Sequence, residues 1–232
     1  MPQTMTNDQE IKRRHIVRSF DEELKWLTER LAEMGGITEQ NVGDSIKALM
    51  SRDVELAKAV RQRDDRIDEL EEEIDQFAIR MLATRQPMAV DLRIISMSLK
   101  ISNDIERMGD YASNIAKRAI RLADQPAIKP ITAIPKMAQA CQGMVKDVLD
   151  AMVERNVDKA MAVWDRDELV DQYYDGIFRE LLTYILEDPR QTSLCVDLMF
   201  IAKNLERIGD HATNIAERVH YVIHGEQINR QR

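Results

Sequence analysis

The sequence predicts an all-α fold of two tandem three-helix bundles that derive from an internal duplication. The segment Ile105–Arg118 recurs as Leu205–Arg218, and nine of the fourteen positions are identical. The chain is 44% hydrophobic and 32% charged but only 5% aromatic, which is typical of long amphipathic helices rather than sheets. A dense match at one fixed separation indicates that each half of the chain contributes one copy of the same unit.

The first predicted element is a long helix from about residue 7 to residue 51. Its apolar stripe, at helical spacing, is Ile16, Phe20, Leu24, Leu27 and Leu31, and the pattern resumes from Val42. Gly35 and Gly36 interrupt the stripe. Neither a proline nor a polar cluster follows them, so we predict one helix with a weak point at the glycines rather than two helices.

A short helical segment, residues 54–60, is predicted next, followed by a longer helix over residues 64–85. The longer helix carries a heptad-like stripe, formed by Ile67, Leu70, Ile74, Phe77 and Met81. Pro87 suits the first turn of a further helix, because that turn leaves the backbone N–H groups unpaired. This last helix contains the first copy of the repeated segment.

Residues 124–130 contain two prolines and are predicted to be the linker. We therefore assign residues 8–123 to the first three-helix bundle and residues 130–225 to the second.

The second half repeats the order of elements in the first. Residues 151–157 resemble 48–54, and residues 166–171 resemble 63–68, at a separation of 103 rather than 100 residues. Pro87 and Pro189 fall near the three-residue gap. The repeated unit is therefore helix, short helix, helix, proline turn and helix.

Pairs of acidic residues four positions apart occur on two helices of each predicted bundle. The pairs are Asp64 and Asp68, Glu106 and Asp110, Asp167 and Asp171, and Glu206 and Asp210. Such side chains project from one helix face, so two acidic rows meet on the bundle surface if the helices are antiparallel neighbours. Carboxylate oxygens bind Mg²⁺, Mn²⁺ or Ca²⁺, and also iron or zinc. The alternative is a solvated acidic face, in a chain with 41 acidic residues.

A glycine precedes the aspartate in each copy, at Gly109 and Gly209. A glycine within a helix costs about 1 kcal/mol relative to alanine. Its repetition indicates that another element packs closely against the helix backbone at this point.

Several classes of function are disfavoured by the sequence. The net charge of −8 argues against nucleic-acid binding, which requires clustered lysine and arginine. We expect a cytoplasmic protein, because neither a signal peptide nor an apolar run long enough to span a bilayer is visible. A ferritin-like di-iron centre needs Glu-x-x-His, which neither copy supplies. With no nucleophile–base arrangement or phosphate loop, we predict no catalytic residues and no enzymatic activity.

The duplicated Glu-Arg-Met/Ile-Gly-Asp motif, together with 85–87 (Arg-Gln-Pro) and 91–93 (Asp-Leu-Arg), resembles the PhoU family of phosphate-uptake regulators. The resemblance covers nearly the whole chain and implies the PhoU-like fold of two similar three-helix bundles. It also implies a cytoplasmic accessory protein that bridges the ATPase subunit of the phosphate ABC transporter and a phosphate-sensing histidine kinase. We expect this protein to repress the phosphate-starvation response when phosphate is plentiful, as a homodimer that is peripheral to the membrane through its partners.

The resemblance further implies multinuclear iron or zinc clusters, held by Glu/Asp-x-x-x-Asp motifs. Carried over residue by residue, the metal ligands are Asp64, Asp68, Glu106, Asp110, Asp167, Asp171, Glu206 and Asp210. Manganese and magnesium are further candidates. Asp91 and Arg93, which follow Pro87 at the start of a helix, are candidate partner contacts, and the alternative is a charge pair at the helix start. The second repeat has no Asp-Leu-Arg after its proline, so the two bundles are not interchangeable if these residues contact a partner. Two alternatives stay open: a metal storage or redox bundle, and a purely structural helical scaffold.

Overall fold

The computed structural model describes residues 7–125 and 133–228, with side chains from residue 19 onward. Its helices are α1 (Asn7–Ser51), α2 (Val54–Arg85), α3 (Val90–Leu122), α4 (Ala133–Glu154), α5 (Val157–Trp164), α6 (Asp167–Glu187) and α7 (Thr192–His224). A short 3₁₀ helix, Pro189–Gln191, joins α6 to α7. The described residues contain no strand, so the all-α prediction is confirmed.

Two similar bundles form the molecule, and the second has two helices, α5 and α6, where the first has the single helix α2. Helices α1, α2 and α3 pack on one another, and α4, α5 and α6 pack on α7 in the same manner. The bundles meet where α3 contacts α7 and α1 contacts α4. The predicted tandem duplication is therefore confirmed.

The turn that precedes α2 recurs before α5 and shows the duplication in the backbone. Arg52 and Arg155 both adopt positive φ angles, 57° and 52°. In the next residue, the Asp53 carboxylate accepts a hydrogen bond from the Leu56 N–H at 2.9 Å, and Asn156 accepts one from the Lys159 N–H at 3.0 Å. Aspartate and asparagine are favoured at this capping position because they satisfy an otherwise unpaired helix N–H.

The long first helix is confirmed, and two of its three glycines, Gly35 and Gly43, have a packing role. A Cβ atom at Gly35 would overlap Leu149 of α4, and one at Gly43 would lie 2.5 Å from Gln142 Nε2. The glycines therefore allow α4 to approach the backbone of α1, which is one of the two contacts between the bundles.

Two predicted boundaries were wrong. Residues 54–60 are not a separate helix, because α2 runs unbroken from Val54 to Arg85; the residues between 60 and 64 include no helix breaker. The short helix exists only in the second bundle, as α5. Pro87 precedes α3 rather than entering it. Gln86 and Ala89 on either side have φ angles of 48° and 50°, which the helical conformation does not allow.

The predicted linker lies mostly outside the described residues, and the bundle limits at 8–123 and 130–225 stay a prediction. Within the described part of the chain, no helix has the length and apolarity that crossing a membrane requires.

Helices α3 and α7 form the centre of the molecule. The fully buried apolar positions of each repeated segment include Ile105, Met108, Ala112 and Ile115 in α3 and Leu205, Ile208, Ala212 and Ile215 in α7. All eight belong to a single hydrophobic cluster that extends through both bundles. The repeated segments are thus fixed by core packing, and the acidic residues between these positions are held at defined places.

Candidate metal and partner sites

The glycine of each repeated segment brings an aspartate of the preceding helix against the backbone. A Cβ atom at Gly109 would lie 2.8 Å from Ile67 Cδ1 and 3.0 Å from Asp64 Oδ1. At Gly209 the corresponding distances are 3.4 Å to Val170 Cγ1 and 3.7 Å to Asp167 Oδ1. This confirms the close packing that the two glycines predicted, and the contact is tighter in the first bundle.

The difference in tightness gives a first testable prediction. We expect Gly109→Ala to destabilise the protein, because overpacking against the buried Ile67 costs about 1–3 kcal/mol and exceeds the helix-propensity gain of about 1 kcal/mol. The matched variant Gly209→Ala meets only ordinary contacts and should be neutral or more stable. Urea unfolding measures both free energies. Equal stability of the two variants would contradict the packing argument.

The two acidic rows of the first bundle meet, as predicted. Burial, with the nearby carboxylates of Asp110 and Asp68, raises the pKa of Asp64 to about 6, although a hydrogen bond with Ser113 acts to lower it. Burial raises the pKa of Glu106 to about 7, with Asp110 adding to the shift. Carboxylates of α2 and α3 therefore lie close enough to repel one another.

In each bundle, the first acid on the helix before the proline turn is less exposed than the predicted surface location requires. This acid is Asp64 on α2 and Asp167 on α6. Asp167 is buried, and Asp64 is half-buried at the seam between α2 and α3. Only the second acids, Asp68 and Asp171, are exposed. The prediction of wholly surface rows was wrong, because Gly109 and Gly209 let the helices approach until the first acid is enclosed.

Several carboxylate oxygens in these rows are buried without a hydrogen-bond donor: Asp64 Oδ1, Glu106 Oε2 and Glu206 Oε2. A buried oxygen without a donor costs free energy that a bound cation would recover. By its chemistry the donor set therefore fits an oxygen-preferring cation. Among the described residues, however, no group of three or more His, Cys, Asp or Glu side chains is arranged to hold a metal ion. The acidic side chains lie near one another, but not in an arrangement that holds a metal ion.

The arginine of each motif pairs with the aspartate of the same motif. Arg107 Nη1 lies 3.5 Å from Asp110 Oδ2, and Arg207 Nη1 lies 3.4 Å from Asp210 Oδ2. These contacts are loose and partly exposed, so they neutralise little of the acidic charge.

Lys203 was not predicted from the sequence as part of a site. Its Nζ atom lies 2.6 Å from Glu206 Oε1, inside the acidic site of the second bundle. The equivalent position of the first repeat is Asn103. The sequence contains the signal for this difference. One turn before the motif glutamate, the first copy has the neutral Asn103 and the second has the cationic Lys203.

The two candidate partner residues have different surroundings. Arg93 Nε donates a hydrogen bond to the Val222 carbonyl at 3.3 Å, and its guanidinium packs on Gly225, which ends α7 with a φ of 76°. Arg93 therefore caps the last carbonyls of α7. Asp91 is half-buried, and no described residue forms an ion pair with it. Of the two, Asp91 is the residue whose charge is available to a partner.

Exposed apolar side chains surround Asp91. Met88 is 81% exposed, and Val90 and Leu92 are 45% and 43% exposed. We call residues 88–92 the α2–α3 edge. The corresponding turn of the second bundle is the 3₁₀ helix Pro189–Gln191, whose flanking Asp188 pairs with Arg190. The two turns therefore differ in backbone and in charge, and the second bundle exposes the apolar side chain of Leu186 just before its turn.

The fold and these sites define a class of protein: a duplicated helical bundle with one acidic row pair on each half and an apolar edge on the first. The PhoU domain matches residues 31–119 and 134–219. The chain belongs to the PhoU family.

Similar proteins share nearly the whole length of the chain. The phosphate-specific transport system accessory protein PhoU homolog of Caulobacter vibrioides is 51% identical, over 94% of this chain and 95% of that protein. The homolog of the same name from Rhizobium meliloti is 47% identical, over 92% and 90%. The crystal structure of PhoU from Pseudomonas aeruginosa superposes with a TM-score of 0.87 at 41% identity, covering 89% of this chain and 100% of that chain.

Proposed function

We propose that this protein is a non-enzymatic accessory regulator of phosphate uptake. The observation that supports this most is the 51% identity, over almost the full length, to a protein named as an accessory of the phosphate-specific transport system. In this proposal it acts as a cytoplasmic adaptor between the ATPase subunit of the transporter and a phosphate-sensing histidine kinase. It represses the Pho regulon, and a homodimer is the proposed assembly.

The α2–α3 edge is the proposed contact with one of these partners. Exposed apolar side chains around an unpaired carboxylate suit a partner surface with an apolar groove beside a cation. Met88 and Leu92 supply the apolar area, and Asp91 supplies the charge. Arg93 supports this edge by joining α3 to the end of α7.

Co-purification from phosphate-replete cells tests the adaptor proposal. We expect the tagged protein to recover both the transporter ATPase and the kinase. Asp91→Lys should reduce the recovery of at least one partner by about tenfold, the effect of losing a contact of about 1.4 kcal/mol. Arg93→Glu should also weaken regulation, but it removes the cap of α7, so its melting temperature must be measured in parallel.

Glu55→Lys is the same charge change at an exposed site of the same bundle and should leave recovery unchanged. Recovery of both partners by a folded Asp91→Lys variant would exclude the edge as the contact. Recovery of neither partner by the wild-type protein would contradict the adaptor role.

We further propose that the acidic rows bind metal ions, with iron or zinc first and manganese or magnesium as further candidates. Support comes from the buried oxygens of Asp64, Glu106 and Glu206 that accept no hydrogen bond and from the repetition of the acid pairs in both bundles. The residues that would hold the ions are the eight acids named above, and the bound cation would neutralise their charge and join two helices of one bundle.

Metal analysis of the co-purified sample separates this proposal from its two alternatives. A metal storage or redox protein would carry metal without retaining the transporter ATPase, whereas a structural scaffold would carry none. The adaptor proposal expects metal and partner in one sample.

A further inference from the structure

The two acidic sites are equivalent by the internal repeat, but their surroundings differ in charge. In the second bundle the Lys203 ammonium lies 2.6 Å from Glu206 Oε1 and 5.1 Å from the centre of the Tyr174 ring. The ion pair and the cation–π contact hold the ammonium from two sides. Lys203 is 37% exposed and Glu206 is 14% exposed, so the pair is partly shielded from water.

The first bundle replaces each of these groups with a neutral or acidic one. Asn103 stands at the position of Lys203, and Glu71 stands at the position of Tyr174. Asp75, one turn further along α2, corresponds to Phe178. Burial raises the pKa of both Glu71 and Asp75, and Asp75 Oδ1 is buried without a hydrogen-bond partner. The first bundle thus has two more carboxylates and lacks the ammonium.

We infer that Lys203 is a built-in counter-ion that restricts divalent-cation binding to the first bundle. The inference rests on the proposed metal binding. A cation that enters the second site must first displace the ammonium from Glu206. Beside the carboxylates of the first site lie the loosely held Arg107 and two neutral donors, Ser113 and Asn103, and no described lysine forms an ion pair there. Binding at the second site therefore loses a hydrogen bond between charged groups. We expect the second site to bind the cation more weakly than the first by roughly tenfold to a hundredfold.

Exchanging the two residues between the bundles tests this inference with Mn²⁺ as the probe. Glu106→Gln/Asp110→Asn removes the first site and reports on the second, and Glu206→Gln/Asp210→Asn does the reverse. Each double variant is prepared with and without one further substitution. This is Lys203→Asn in the variant that keeps the second site and Asn103→Lys in the variant that keeps the first site. Mn²⁺ binding is measured by calorimetry, and circular dichroism checks that all four proteins fold.

We expect the first site to bind Mn²⁺ at least about tenfold more tightly than the second. Lys203→Asn should tighten binding at the second site, and Asn103→Lys should weaken it at the first, each by a similar factor. Equal affinities in the two parent variants, or exchanges without effect, would overturn the proposed role of Lys203 but not the proposed metal binding. Absence of Mn²⁺ binding from all four folded proteins would overturn both this inference and the proposed metal binding.

Discussion

Replacing Asp104 with alanine is expected to lower the free energy of unfolding by about 3–5 kcal/mol, the usual cost of removing one partner of a buried ion pair. Asp104 is 3% exposed and lies on α3, where it contacts α7. Its Oδ1 atom is 2.9 Å from His211 Nδ1, and its Oδ2 atom is 2.5 Å from Arg218 Nη1. The substitution leaves the Arg218 guanidinium partly buried without its carboxylate.

Urea unfolding provides the measurement, with two comparison variants. Asp104→Asn keeps an acceptor oxygen of nearly the same shape and should cost less than the alanine substitution; asparagine is also the residue at the equivalent position 204. Glu55→Ala removes an exposed partner of Lys58 and should change the stability by less than about 1 kcal/mol. If Asp104→Ala were no worse than Glu55→Ala, the ion pair would have no role in holding the bundles together.

The position of His211 shows how the duplication shapes this interface. Helices α3 and α7 cross so that equivalent positions of the two repeats meet, and the rings of Tyr111 and His211 have their centres 5.7 Å apart. A residue at this position contacts its own repeat counterpart. In this chain the two counterparts are a tyrosine and a histidine, and the histidine also contacts the Asp104 carboxylate.

The fold was predictable because its determinants are local and repeated. Apolar spacing defined the long helices, and the Ile105–Arg118 match defined the duplication. The break between α5 and α6 has no counterpart in α2. The repeat predicted a break after Val60 as well, which was wrong because helix-forming residues follow Val60. The gathering of acids across α2 and α3 was also predictable, since Gly109 indicated close packing.

The contacts between bundles could not be predicted in this way. Asp104 pairs with residues more than 100 positions away, and its repeat counterpart is an asparagine, so a search for shared motifs passes over it. Arg93 is a candidate partner contact in the sequence, and in the folded chain the end of α7 lies beside it. Both depend on how one bundle docks against the other, which helical periodicity does not specify.

A divalent or trivalent cation is expected to raise the melting temperature of the wild-type protein, and a chelator to lower it. A ligand that binds only the folded state stabilises it by about 2.7 kcal/mol at a hundredfold excess over Kd. The physical reason is the cost of the cation-free site, where oxygens of Asp64 and Glu106 that accept no hydrogen bond are buried near other carboxylates. Thermal unfolding with Fe²⁺, Zn²⁺ or Mn²⁺, and with a chelator, gives the measurement.

The effect of the cation should grow with pH. The pKa values of Asp64 and Glu106, about 6 and 7 in the folded protein, exceed their ordinary values of 3.8 and 4.5. Stability from these groups is therefore present at low pH and is lost as pH rises through about 6 to 7, because the unfolded chain has already released the protons. A cation must displace the same protons to bind, so its stabilising effect should be smaller at about pH 5 than at about pH 8.

Glu106→Gln/Asp110→Asn is the variant that decides between a metal site and a solvated acidic face. On either interpretation the cation-free variant should be slightly more stable than wild type, because two mutually repelling charges are gone. Only the metal site predicts that the variant also loses the cation-induced shift of the first bundle, while a matched Asp65→Asn/Glu69→Gln variant, at exposed positions of α2, keeps it. A wild-type protein whose melting responds neither to cation nor to chelator would establish that these acids are solvated surface charges, gathered by the packing at Gly109 and Gly209 alone.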